Sequence, residues 1–381
     1  MRYLFFRSLT STLLTVWLTI PSFASPVPNE VLLQRIPPRE EKLATSEQQS
    51  PALLDALNDR IKLSGAIAVE ANYTCVDNTC DDEDSSDHTL ATVELGVDVD
   101  LIHHVSGHIL LLWEEDDTEP MDVDEAFITL IGEEVLPLTL SAGKLYVPFG
   151  NFTSNMVSDP LPLELGETRE SAVVVGYEQN GFYASLYAFN GDVEIDGNNG
   201  NQIDNVGASL GYVLEKEYLT LDVGICYTNN LLDSDGLGER FDEAVEEAEE
   251  VGQVLELQEH VGGFGAHLVA ELGSLNLIGE YVGAIDAIAY RLDGVKFKED
   301  AIRSWNLEAG YGFDFLGREA LVAAGWQGSD NAGDFLPENR YLACISAGIF
   351  DGTSLALEML HEEYENDGET DSITLQLAIE F

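Results

Sequence analysis

The last ten residues, Ser372 to Phe381, alternate strictly. Ile373, Leu375, Leu377, Ile379 and Phe381 fall on one side, and Thr374, Gln376, Ala378 and Glu380 on the other. A period of two marks a strand in a sheet with one apolar and one polar face. Comparable runs recur from residue 63 onward and predict sixteen strands, at 63–73, 88–99, 105–114, 122–131, 136–147, 171–178, 181–190, 204–213, 217–228, 260–271, 274–284, 301–313, 319–328, 339–350, 353–363 and 372–381. Most match the ~9–11 residues that a tilted strand needs to cross a bilayer. In 301–313, Trp305, Leu307, Ala309, Tyr311 and Phe313 oppose Ser304, Asn306, Glu308, Gly310 and Gly312. The runs 122–131 and 181–190 alternate poorly, and their faces are not assigned.

The connections alternate in length. Short ones at 100–104, 132–135, 179–180, 214–216, 272–273, 314–318 and 351–352 separate long ones at 74–87, 115–121, 148–170, 191–203, 229–259, 285–300, 329–338 and 364–371. An up-and-down barrel with both termini in the periplasm has this order. The expectation is an all-β fold: a 16-stranded antiparallel transmembrane β-barrel over 63–381, with short periplasmic turns and long acidic outer loops. With ~16 strands the interior is wide enough for an aqueous channel.

Residues 1–24 read as a signal peptide. Arg2 and Arg7 precede the apolar stretch Leu9 to Ile20, and Ser22 and Ala24 are the small residues of a cleavage site. Sec-type export to the Gram-negative outer membrane, with outer-membrane lipid as a partner, follows as an expectation. Residues 25–62 then form a Pro-rich periplasmic segment, ending in a short helix from Ser50 with Pro51 at its first position.

The chain carries 70 acidic and 17 basic residues, a formal charge of −53 at pH 7. That balance excludes nucleic acid as a partner, because phosphate binding needs Lys/Arg patches. Many carboxylates fall in the outer loops, where weak Ca²⁺ or Mg²⁺ association is expected without a resident cofactor. In the long acidic loop, Phe241 to Val251 is expected to be a short helix with Asp242 at its start. A second set, Glu70, Glu94, Asp222, Glu271, Glu280, Glu308, Glu358 and Glu380, is expected to point into the lumen as pore-lining groups. Such carboxylates attract cations and disfavour anions.

Cys75 and Cys80 bracket four residues of the first outer loop and are expected to form a disulfide, as suits an exported protein. Cys226 and Cys344 are expected as free lumenal thiols. The run Asp192 to Asp204 is rich in oxygen ligands but lacks EF-hand spacing, so a solvated turn-rich loop is the expectation. The seven histidines show no local catalytic or metal-ligand grouping, and no enzyme activity is expected. The loop 148–170 is the candidate constriction. Phe149, Phe152 and Met156 offer apolar contact and Asn151, Thr153, Ser154 and Asn155 hydrogen bonds, with Lys144 as the nearby base.

Asp124-Glu125-Ala126-Phe127-Ile128 leads into Gly143-Lys144-Leu145-Tyr146-Val147-Pro148-Phe149-Gly150-Asn151-Phe152, then Pro160-Leu161-Pro162-Leu163-Glu164-Leu165-Gly166-Glu167-Thr168 and Ala172-Val173-Val174-Val175-Gly176-Tyr177. Together these segments resemble the LbtU-type (legiobactin receptor) siderophore porins of Gram-negative bacteria. The resemblance implies an outer-membrane barrel that takes up a ferric siderophore without a TonB box or globular plug. The chain departs from it in its acidic load, since lumenal Glu residues would repel a polycarboxylate siderophore. A general cation-preferring diffusion porin is the alternative.

Overall fold

The computed structural model describes residues 60–77, 82–115, 121–132, 136–193, 195, 202–366 and 368–381. The expected signal peptide and nearly all of the Pro-rich segment lie outside the described residues, as does Cys80.

Sixteen strands close into one antiparallel barrel. They are β1 (Ile61–Asp77), β2 (Asp82–Ile102), β3 (Val105–Trp113), β4 (Asp122–Ile131), β5 (Leu138–Tyr146), β6 (Arg169–Gln179), β7 (Phe182–Phe189), β8 (Asn205–Lys216), β9 (Leu219–Thr228), β11 (Gly263–Leu272), β12 (Leu275–Ala284), β15 (Arg303–Phe315), β16 (Arg318–Asp330), β17 (Asn339–Phe350), β18 (Thr353–Glu363) and β19 (Glu369–Glu380). Three shorter strands, β10 (Leu255–Leu257), β13 (Ile288–Leu292) and β14 (Val295–Glu299), form a separate small sheet from two outer loops. Among the described residues the helices are α1 (Leu161–Gly166) and α2 (Asp235–Glu250).

Alternation explains the barrel wall. Ile373, Leu375, Leu377 and Ile379 are exposed on the outside, whereas Gln376 between them is buried on the inside. Closure abolishes the sheet edges. It is made by β1 against β19, where Gly65 and Phe381 exchange backbone hydrogen bonds of 2.9 and 3.0 Å. Gly65 is required there: a Cβ would stand 2.6 Å from the Phe381 ring.

The two runs without clear alternation have physical causes. In β4 the register against β3 shifts between Leu110 and Leu111, which leaves Asp124 as an extra residue. Such a bulge breaks the period of two. In β7 both faces are large. Tyr183, Tyr187 and Phe189 are buried inside while Phe182 and Leu186 are exposed outside. The inward tyrosines fit because they lie over Gly211 and Gly207 of β8, where any Cβ would overlap their rings.

Three expectations are corrected. The first outer loop is mostly strand, since β1 and β2 stay paired up to Asp77 and Asp82. The long-loop helix starts at Asp235, well before Phe241, with Ser234 at its N-cap position. Asp235, and not Asp242, therefore sits in the first turn, where a carboxylate favours the helix dipole. Leu237, Phe241 and Ala248 make its buried face. The small β10–β13–β14 sheet falls in segments expected to be loop; their charge masks short apolar strands whose Leu257, Ile288 and Tyr290 are fully buried. The core joins these loops to α1, α2 and the inner wall through Phe149, Leu161, Leu165, Leu237, Phe241 and Val282.

Candidate functional site: a constriction loop held by wall carboxylates

The chain leaves β5 at Tyr146 and turns inward. Gly150 has φ 84° and Phe152 φ 56°, a left-handed backbone that a bulky residue adopts only under constraint. Glu280 of β12 supplies that constraint. Its two carboxylate oxygens accept the backbone N–H groups of Asn151 at 2.6 Å and Phe152 at 2.7 Å. Cys226 Sγ, facing inward from β9, accepts Gly150 N–H at 3.2 Å.

The loop then runs along successive strands. Glu308 of β15 accepts from Ser154 Oγ and from Asn155 N–H, both at 2.7 Å. Glu358 of β18 accepts Val157 N–H at 2.6 Å, and the Ser158 N–H and hydroxyl as well. On the return, Arg340 of β17 donates to Asp159 C=O at 3.0 Å and to Glu362 at 2.7 Å. Gln327 Oε1 of β16 accepts Leu161 N–H at 3.1 Å. Met156 and Val157 pack on Leu342, Cys344 and Ala356 of the inner wall. Hydrogen bonds to ionised carboxylates are about twice as strong as neutral ones. Such a series fixes a loop against the wall that otherwise would move freely in water.

The outer loops cover the far end of this loop. Asp235 N–H donates to Glu167 C=O at 2.8 Å, and Asp235 Oδ1 accepts Arg169 N–H at 3.1 Å. At Gly236 a Cβ would collide with Glu164 C=O, so α2 sits directly on α1. Burial pushes the Asp235 carboxyl above the usual carboxylate range, opposed by the Arg169 N–H bond and the Arg169 charge. Glu167 is pushed well above that range by burial and then by the Asp235 charge.

The expected pore-lining groups divide. Glu280, Glu308 and Glu358 are buried and engaged with the loop. Glu70 is buried and accepts from Gln376 Nε2 at 3.0 Å. Asp222 accepts from Tyr183 OH at 2.8 Å, and His267 stands 3.5 Å from it. Glu271 is exposed near the short-turn end of β11. Glu94 is half-buried on β2. Nearby, His108 of β3 bonds Asp98 at 2.7 Å and faces Glu125 of β4 at 3.4 Å. Asp98 and Glu125 were not among the pore-lining residues expected from the sequence; parity with Glu94 was the available signal for Asp98, whereas the bulge at Asp124 hides that of Glu125.

Among the constriction candidates, Phe149, Asn151, Phe152, Asn155 and Met156 all lie in the inserted loop. Lys144 does not. It is a β5 residue on the face of exposed Leu140, and its Nζ donates to Asp122 at 3.2 Å. Cys226 and Cys344 are buried free thiols. Cys75 on β1 is also a free thiol, not the half of a disulfide expected from the sequence, and Cys80 lies outside the described residues. The Asp192–Asp204 segment is also largely outside them.

No family model matches the chain. It is similar to a UPF0422 protein of Coxiella burnetii, 27% identical over 68% of this chain and 55% of that one. A UPF0422 protein of Legionella pneumophila strain Philadelphia 1 is 25% identical over 72% of this chain and 54% of that one. The chain thus spans about half the length of the curated relatives it matches. Among solved structures, the outer-membrane channel DcaP of Acinetobacter baumannii aligns over 84% of this chain and 97% of its own, with TM-score 0.56 and 14% identity. OprB of Pseudomonas putida aligns over 85% and 95%, with TM-score 0.57 and 9% identity. The fold is that of the outer-membrane porins, a closed sixteen-stranded antiparallel barrel.

Proposed function

We propose that this protein is a channel of the Gram-negative outer membrane and that its cargo is a ferric siderophore, taken up without TonB. The apolar exterior suits a lipid surround, and the porin fold suits a diffusion path. One observation carries the cargo reading. Of the four segments that resemble siderophore porins, 143–152 and 160–168 supply residues 147–152 and α1 of the constriction loop, while 124–128 and 172–177 lie in the wall strands β4 and β6. The acidic wall favours a neutral or cationic ferric complex over a polycarboxylate one.

A general cation-preferring porin is the second reading, favoured by Glu94, Asp98 and Glu125, which lie on strands that carry none of the loop-anchoring bonds above. Liposome uptake separates the two. Saturable flux restricted to particular ferric siderophores supports the first; linear flux of every small solute, with cation selectivity in planar bilayers, supports the second and removes the first.

A further inference from the structure

The inner wall of β19, β1 and β2 holds a group of oxygen ligands that the constriction loop does not use. Glu70 of β1 is 3% exposed. Across the sheet it is flanked by Gln376 of β19 and Thr89 of β2. Thr89 and Thr92 are 4% and 2% exposed, and neither hydroxyl has a hydrogen-bond partner among the described residues. Asn72, two positions along β1 on the same face, has an unpartnered buried Oδ1.

The local backbone brings these groups together. Thr89 and Thr92 are three positions apart, so a regular strand would turn them to opposite faces. A register shift prevents this: Ala68 pairs with Thr92 while Glu70 pairs with Thr89, so two steps on β1 face three on β2. The bulge sets both hydroxyls on the face of Glu70. Bulges recur where a strand must re-aim side chains at a functional site.

Gln376 Nε2 donates to Glu70 at 3.0 Å, and the Asn72 amide also donates to that carboxylate, which leaves the Thr89, Thr92 and Asn72 oxygens without a partner among the described residues. Leaving several buried oxygens unmatched costs more than leaving them in water. Hard oxygens of carboxylate, amide and hydroxyl type suit oxygen-preferring cations such as calcium or sodium, and not thiophilic metals. A chain of net charge −53 also concentrates cations around itself.

We propose that Glu70, Thr89 and Thr92 form a binding site for a hard cation in the barrel wall, with calcium as its first probe. The site is distinct from the acidic outer loops, because its ligands are buried strand residues. Among the described residues no cation acts on Glu70, and the ion supplies that charge.

The test uses the full chain, folded in detergent, with its folded state checked by heat-modifiable gel mobility. Calcium titration by calorimetry is compared for the wild type, Glu70→Gln and the double variant Thr89→Val, Thr92→Val. The expected result is one site in the wild type above the weak loop background. That site disappears in Glu70→Gln and weakens at least tenfold in the double variant, while the background stays the same. Thermal unfolding in sodium chloride against choline chloride is the second arm. Stabilisation by sodium that needs Glu70 supports the same site with a monovalent ion. Identical calcium isotherms in all three proteins, together with no Glu70-dependent sodium effect, would overturn the proposal and leave only water against these oxygens. If a variant does not fold, Thr89→Ala alone replaces it with a loss in the same direction.

Discussion

The backbone N–H of Val157 donates to the Glu358 carboxylate at 2.6 Å, joining the inserted loop to a strand 201 positions further along the chain. Glu358 is 1% exposed, so this carboxylate anchors the loop in a site closed to solvent. Charge-assisted bonds in such a site contribute roughly 1.5–3 kcal/mol each. Glu358→Ala removes the acceptor for Val157 and Ser158 together. We expect a loss of about 3 kcal/mol in loop docking, read as higher single-channel conductance and new protease cleavage within 148–168. Unchanged conductance would show that the loop is held without Glu358.

Arg340 reaches both Asp159 C=O and Glu362. Removing it leaves Glu362 buried without its cation, and breaking such pairs typically costs about 3–5 kcal/mol. Arg340→Ala is expected to lower the urea midpoint of the folded barrel and to loosen the return limb of the loop. Double-mutant cycles with Glu362→Gln should recover part of the loss, because they remove the orphaned charge.

The tyrosine floor of the lumen depends on glycine. A Cβ at Gly211 overlaps the Tyr183 ring. Gly211→Ala should therefore displace Tyr183 from Asp222 and cost about 1–3 kcal/mol, the usual penalty of overpacking. Equal stability of the variant and the parent in urea titration would contradict the close packing.

Contact between α2 and the constriction loop is expected to depend on pH. Burial raises the Asp235 and Glu167 carboxyls above their unfolded values. Their protonated forms are favoured in the folded loop, so their contribution is fullest below the unfolded pKa values and fades as pH rises through the folded ones. Arg169 and Lys144 moderate the effect at Asp235, whereas Asp124 adds to it. Amide protection of α2, corrected for intrinsic exchange, should be higher at acid pH than at neutral pH. The difference should shrink in Asp235→Asn.

Glu94 and Glu125 give the selectivity test. Replacing both by Gln leaves the loop anchors intact and removes two lumenal carboxylates. The cation-to-anion permeability ratio, read from the reversal potential in a salt gradient, should fall several-fold. A ratio that stays constant would place ion selection elsewhere.

Much of the wall was legible in the residues. The terminal strand, with Ile373 to Phe381 facing out and Gln376 facing in, matches its alternation, as does β15 around Asn306 and Glu308. Local rules suffice there because lipid on one side and polar wall on the other select residues position by position. Asp124 and Thr89 to Thr92 show where the reading stops. A bulge changes a residue's face without changing composition, and only cross-strand register reveals it.

The site divides along the same line. The sequence by itself determined a sixteen-stranded amphipathic barrel with a long loop at 148–170 and carboxylates at alternating inward positions, because strand period and loop length are local properties. Only the tertiary structure decided that Glu280, Glu308 and Glu358 grip that loop, while Lys144 stays outside it. It also decided that α2 rests on α1. Those pairings join residues up to 201 positions apart. Which carboxylate meets which backbone N–H depends on the closure and register of the whole sheet, and no local pattern encodes it.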